Sequence, residues 1–476
     1  MIDKNKAKKE GIKVGDYTFR TSEDETILYL DTPLHSPTEK RFFIKNYPEI
    51  RDQLVKTGVR FILDEPESLD GKIVVAKGQP PKKGSPERIE LLPKFIKFFQ
   101  QVKSKKGATI VAEESKDLRE QVQRIICVEK DEVIGKWHPA ILPIPGVNIW
   151  GETVEPPPIK EEKNFELGEN IYLDEKTKEI KAKIDGVVTI DKGKISVLPE
   201  YVLRSDVDYS TGNIHFKGKK LSIIGDIKFG FKVICRGDLE IKGCTENKVT
   251  IEVEGNLIVD GVIRGEETRV YVKGDAKLRG VEFANLTIDG NLYVKDYLIF
   301  SETKVNGELQ SIEGKGIIYG GKIYVTKNIT LKTAGHPAQT KTEIFAGYKP
   351  EIVENYFKLS EKELIFSNTL KKVLYGLELS EKLKTEGRLT PDKERILTKL
   401  SIERDKLVEK LYHIKEELKL LREELEKLKG ARIKILQRVY PNVILGIAEL
   451  RHTVSSELSG PIVFYIEDDS IMSHRE

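Results

Sequence analysis

Cysteine and methionine are scarce in this 476-residue chain, with three of the first and two of the second. Cys127, Cys235 and Cys244 are too few to make a disulfide framework. Net charge is almost absent: 80 basic residues face 77 acidic ones, leaving +3. No overall field therefore draws the chain to nucleic acid or to an anionic membrane. Lys82-Lys83 is too short for a basic patch, and aromatics do not alternate with basic residues into a stacking platform. No apolar run approaches membrane-spanning length, and the opening MIDKNKAKKEG has charge but no apolar core of a secretory signal. The expectation is a soluble cytoplasmic protein that neither inserts in a membrane nor binds nucleic acid.

What is present is glycine in register. From Ile214 to Val325 a phrase recurs, apolar residues alternating on both sides of a Gly-Asp or Gly-Asn pair: VICRGDLEI, IEVEGNLIV, VYVKGDAKL and LTIDGNLYV. The marking glycines are Gly218, Gly237, Gly255, Gly274, Gly290, Gly307 and Gly321, spaced 19, 18, 19, 16, 17 and 14 apart. Two residues before them lie Phe216, Cys235, Val253, Val272, Ile288, Val305 and Tyr319; two residues after, from the second copy on, lie Leu239, Leu257, Ala276, Leu292, Leu309 and Ile323. Alternation is strand-like, and the Gly-Asx pair suits a turn, since Gly allows positive φ and Asx tolerates it. A third inward row is read at Cys244, Val262, Val281 and Tyr297. Three short faces per period of about 18 predict a single-stranded parallel β-helix, with equivalent residues stacked about 4.8 Å apart. An antiparallel meander is the alternative, but it gives no reason for side-chain identity to stay in register.

Around this element the chain divides into residues 1–10, a disordered polar tail; 11–160, a small α+β domain; 161–354, the β-helix; 355–430, a helical hairpin; and 431–476, strands returning to the β-helix. In the small domain, strands are expected at 27–30, 41–45, 59–63 and 73–76, and a helix from Pro48 to Lys56. Residues 115–200 read as β-rich. Beyond Tyr348 the period becomes helical. The seam of the second helix holds Leu397, Leu400, Leu407, Leu411, Ile414, Leu418, Leu421, Leu425 and Leu428, interrupted at Arg404. Thr390-Pro391 starts it and Gly387 ends its predecessor. Residues 391–429 span about 58 Å, so an antiparallel coiled coil with the preceding helix is expected rather than a helix lying flat on the stack. The fold class is mainly β with a helical insertion.

Chemistry is sparse. Asp238 and Asp275 alternate with Asn256 and Asn291, a substitution that a turn tolerates and a calcium site does not. The glycine period does not match the six-residue repeat of acyltransferases. Cys235 and Cys244 lie on inward rows and read as core thiols; His336 reads as a surface turn. Gly320-Gly321 lacks the residues of a phosphate loop. No catalytic residue, cofactor or metal is expected.

The chain resembles the flagellar assembly protein A family. The matching segments are AKGQPPKKGSPE, PIPGVNIWGE, GENIYL with AKIDGVV, SDVDYSTGNIHFKGKKLSIIGDIKFGFKV, the Gly-Asx coils, KTEIFAG, LTPDKE and VYPNVILGI. The family more often has a Gly-Asp-Gly turn where PERIELL stands, and Tyr-Pro-Gly where this chain has YPN. The resemblance implies a non-enzymatic cytoplasmic scaffold or regulator of flagellum assembly or polar placement. Its partners would be proteins, flagellar or pole-placement factors, or a second copy of the chain. The rival reading is a self-assembling scaffold like bactofilins or the septum-site inhibitor's C-terminal domain. A β-helix carbohydrate-active enzyme is a further alternative.

Overall fold

The structure, a computed structural model, describes residues 4–103, 119, 125–159, 165–387 and 390–476. The chain forms two compact units, one of residues 1–93, 133–181 and 190–195, the other of 94–132, 182–189 and 196–476.

In the first unit an antiparallel sheet runs in the order Ile12–Val14, Tyr17–Thr21, Ile27–Leu30, Lys72–Lys77, Ile62–Leu69. Helix α1 (Lys4–Glu10) precedes it, and Ala7 is buried. The tail expected to be disordered is thus helical over those residues. Helix α2 spans Pro37–Lys56 and buries Phe43, Tyr47, Ile50 and Leu54 in a core shared with Phe19 and Leu28. The strand expected at 41–45 is part of this helix, and Pro48 lies inside it rather than at its start. The true start is a capping box: Ser36 Oγ accepts from the Glu39 amide at 3.2 Å, and the Glu39 carboxylate accepts from the Ser36 amide at 3.3 Å. Helix α3 covers Pro93–Lys103 and, from Lys94 on, belongs to the second unit.

In the second unit the chain winds upward in parallel. One face stacks Glu200–Leu203, Lys220–Ile223, Asp238–Ile241, Leu257–Val259, Ala276–Leu278 and Leu292–Val294, then Leu309, Ile329 and Ile433. A second stacks Ile214–Phe216, Lys232–Cys235, Thr250–Val253, Arg269–Val272, Asn285–Ile288 and the end of Leu292–Val305. The architecture is the expected parallel solenoid, mainly β. Its first strand, Glu200–Leu203, sets the lower boundary, not residue 161. Strands between 166 and 198 belong to separate four-stranded sheets. The β character expected for 115–118 and 120–124 and the solenoid start at 161–164 fall outside the described residues.

The register holds row by row until the last glycine. Phe216, Cys235, Val253, Val272, Ile288 and Val305 stack in sequence, but Val305 pairs with Val325, not Tyr319. Leu309 likewise pairs with Ile329 instead of Ile323. Gly321 pairs with Ser301 at another corner, with φ +72°. The residue above Gly307 is Lys327, whose amide donates to the Gly307 carbonyl at 3.2 Å. The third row is also shifted. Ile263, Val281 and Leu298 point inward above Thr245, whereas Cys244, Val262 and Tyr297 are half-buried. Val259 to Val262 and Val294 to Tyr297 are steps of three where Leu278 to Gly280 is a step of two, so those storeys carry one more residue at the corner, and one residue reverses the inward face.

Helices α4 (Pro350–Thr385) and α5 (Pro391–Leu428) interrupt this winding. They are an insertion between two storeys, because Thr342–Ala346 pairs in parallel with Val443–Ile447 directly across them. Val353 packs near Leu425, Leu359 near Ile414 and Leu418, and Gly376 near Leu400, so the two helices run antiparallel. After the last parallel storey the direction reverses. Leu450–Val454, Leu458–Ser459 and Ile462–Glu467 add antiparallel to it, and Ser470–Arg475 finishes the sheet. These strands satisfy the edge that a parallel stack would otherwise leave open.

Candidate functional site

The glycine column sets how closely successive storeys approach. Gly218, Gly237, Gly255, Gly274, Gly290 and Gly307 all have ordinary negative-side φ, so the expected need for a positive φ is not the reason for glycine. The reason is close approach. A Cβ on Gly274 would fall 2.5 Å from the Gly255 carbonyl oxygen, and one on Gly255 2.7 Å from that of Gly237. In its absence each glycine amide donates to the glycine carbonyl below, at 3.2, 3.1, 3.2 and 3.0 Å from Gly255 to Gly307.

The adjoining Asx residues form a second ladder. Asp238 Oδ1 accepts from the Asn256 amide at 2.8 Å, Asn256 Oδ1 from the Asp275 amide at 2.9 Å, and Asp275 Oδ1 from the Asn291 amide at 2.7 Å. Asn256 and Asn291 also donate their side-chain amides to the Asp below, both at 3.2 Å. Alternating amide with carboxylate turns a stack of like charges into a stack of donors and acceptors. These residues are committed to the backbone of the next storey and are not gathered toward a ligand.

The residues with nucleophilic or metal-binding chemistry lie apart. Cys235 is buried between Phe216 and Val253, and burial pushes its thiol up to about 12. Cys127 is half-buried and shifted in the same direction by desolvation. Cys244 Sγ accepts from the Val262 amide at 3.3 Å. His336 lies 4.8 Å from the Tyr319 ring, and its Nδ1 accepts from the Ala338 amide at 3.2 Å. Among the described residues no group of three or more His, Cys, Asp or Glu is placed to share a metal ion.

The hairpin offers a different kind of surface. Its base is fixed on an aromatic shelf of Tyr324, Phe345 and Tyr348, with ring centroids 4.9 to 5.4 Å apart, packed against Val353 and Leu425. Lys429 closes the joint to Glu426 at 2.6 Å and Glu449 at 3.4 Å. Leu407, Leu411, Ile414, Leu418 and Leu425 are buried between the helices, while Leu400, Leu421 and Leu428 are half-buried. The residues expected as the contact seam therefore face α4 and are not open to an outside partner. Thr390 is the N-cap of α5 with Pro391 next, but its side chain makes no capping bond.

Helix α4 carries a second apolar stripe. Phe357, Leu364, Tyr375 and Leu379 are 47, 63, 69 and 50% exposed. At the helical period they fall within about 60° of arc, roughly opposite the half-circle that holds Leu359 and Val373, and span about 33 Å. Glu361, Asn368 and Lys382 fall within the same arc, and charges of both signs border it: Glu354, Lys358, Lys371, Lys372 and Glu378. A helix with one apolar stripe packs on one neighbour; α4 has two stripes, and the second is uncovered. In the sequence this stripe is marked only by Phe357, Leu364, Tyr375 and Leu379 recurring on one helical face, apart from the seam. No helix among the described residues is long and apolar enough to cross a membrane.

Two family models match the chain, one described as the Flagellar Assembly Protein A beta solenoid domain over residues 199–471, the other as the Flagellar Assembly Protein A N-terminal region over residues 18–193. No curated protein and no solved structure matches.

Proposed function

The chain belongs to the flagellar assembly protein A family, and from that premise we propose that it is a non-enzymatic cytoplasmic scaffold for flagellum assembly or placement. The solenoid holds the hairpin as a rigid post, and α4 docks a helix of a protein partner along Phe357, Leu364, Tyr375 and Leu379. The observation that carries this reading is the uncovered stripe on a helix whose other face is already packed. Mixed charges along its border suit a partner helix with its own charged flanks, whereas a membrane-surface helix would carry mainly basic residues. Self-assembly end to end, as in bactofilins, is disfavoured at the C-terminal end, where the antiparallel strands cover the last storey.

The test is genetic. The chromosomal gene is replaced by one encoding Leu364→Lys with Tyr375→Lys, and flagella are counted and located by electron microscopy. The expected result is the phenotype of a full deletion at unchanged protein level. Normal flagellation would contradict the reading. Sedimentation of the purified wild type and variant shows whether the partner on this stripe is instead a second copy of the chain.

A further inference from the structure

Along most of the solenoid, cations meet carboxylates a storey away. Lys220 lies 2.8 Å from Glu240, Lys232 2.8 Å from Glu252, Lys273 3.1 Å from Glu254, and Arg264 3.0 Å from Glu282. At one corner of the first storeys, away from Lys220 and Lys232, cations outnumber carboxylates. A groove of about 670 Å³ is lined there by Lys130, Lys183, Lys217, Lys219 and Arg236, with only Asp185 and Asp238 as lining carboxylates. Lys217 and Arg236 share one outside carboxylate, Glu129, at 2.9 and 3.1 Å. Among the described residues no carboxylate lies within ion-pair distance of Lys130, Lys183 or Lys219.

The placement departs from the repeat in two columns. The position before each column glycine carries Lys217 and then Arg236, where the storeys above alternate Glu254, Lys273 and Asp289. The position after it carries Lys219, where the storeys above carry Asp238, Asn256, Asp275 and Asn291. Two turns add the remaining cations, and they are tied together by the Lys130 amide donating to Asp185 Oδ1 at 2.7 Å. Like charges one storey apart repel, and a concave wall concentrates their field toward an incoming anion. Ile184 and Pro199 contribute an apolar wall to the same groove.

We propose that this groove binds a phosphorylated small molecule of nucleotide size, its phosphates among Lys130, Lys183 and Lys219 and its less polar part against Ile184 and Pro199. The volume lies in the range of small-ligand sites, and the basic surface is too confined for a duplex or a lipid headgroup layer. The site is independent of the hairpin and of the scaffold reading.

Isothermal titration of the full chain uses ATP, pyrophosphate and uncharged adenosine as probes. ATP and pyrophosphate bind, ATP more tightly, and adenosine does not. Raising the salt from 50 to 300 mM weakens ATP binding several-fold. Lys183→Glu with Lys219→Glu lowers ATP affinity at least tenfold, Lys183→Arg with Lys219→Arg retains it, and Lys277→Glu, on another part of the solenoid surface, leaves it unchanged. Thermal melts confirm that the exposed-lysine variants are folded. Absence of ATP and pyrophosphate binding at millimolar concentration, or equal affinity in the charge-reversed variant, overturns the proposal.

Discussion

The solenoid and the hairpin satisfy their side chains in opposite ways. In the solenoid each storey supplies what the next one needs: a glycine carbonyl for a glycine amide, an Asx oxygen for a backbone amide, and a methyl row for a methyl row. In the hairpin the base is anchored and the inner seam is packed, but the outer side of α4 leaves four large apolar residues in water. Stacked repeats close their own contacts by translation, whereas a two-helix hairpin has only one shared face to bury. A second stripe on one of its helices can be buried only by something outside the hairpin.

The comparison breaks most readily at the glycine column. Gly274→Val puts a branched side chain where a Cβ alone would stand 2.5 Å from the Gly255 carbonyl, and should destabilise the solenoid by ~3 kcal/mol or more. Denaturant unfolding followed by β-sheet circular dichroism measures it. Next is the inner seam of the hairpin. Leu418→Ala should cost about 2 to 3 kcal/mol and lower the helical transition while the β transition stays in place, because Leu418 is buried between the helices. A single merged transition that shifts as a whole would show that the two elements are not separate in energy.

A smaller effect of opposite sign is expected inside the stack. Thr303 is fully buried between Leu286 and Ile323, and its hydroxyl has no hydrogen-bond partner. Thr303→Val removes that hydroxyl at nearly constant shape and should raise stability by about 1 kcal/mol. The smallest effect concerns charge. Hydrogen bonds from Lys220 and Lys242 hold the Glu240 carboxyl down at about 2. Because its folded value lies below the ordinary carboxylate value near 4.3, the contribution is complete above that pH and is lost as pH falls toward 2. Glu240→Gln should flatten the acid limb of the stability curve over that window by under about 1 kcal/mol.

The storey period, the inward rows from Phe216 to Val305 and the helical insertion were legible because stacking keeps like residues at fixed intervals. The physical role of the glycines was not, since carbonyl approach from a neighbouring storey leaves no local mark beyond the glycine itself. The break at Gly321 was hidden for a related reason: the interval from Gly307 to its true successor Lys327 is 20, and that successor is not glycine. Corner bulges moved Cys244 and Val262 off the inward row without changing the spacing enough to show. By contrast, helix α2 could have been found. Ser36-Pro37-Thr38-Glu39 is a capping-box sequence, and the apolar run Phe42-Phe43-Ile44 drew attention to a strand instead. Of the hairpin, the buried seam with Leu411 and Leu418 and its antiparallel pairing with the preceding helix were readable from the heptads and the short connection.

The most direct measurement is co-purification of protein partners with the tagged full chain from its native cells, comparing wild type, Leu364→Lys with Tyr375→Lys on α4, and Lys277→Glu with Tyr293→Ala on the solenoid. The account predicts that the α4 variant loses the partners that wild type retains, while the solenoid variant keeps them. Retention by the α4 variant and loss by the solenoid variant would contradict it.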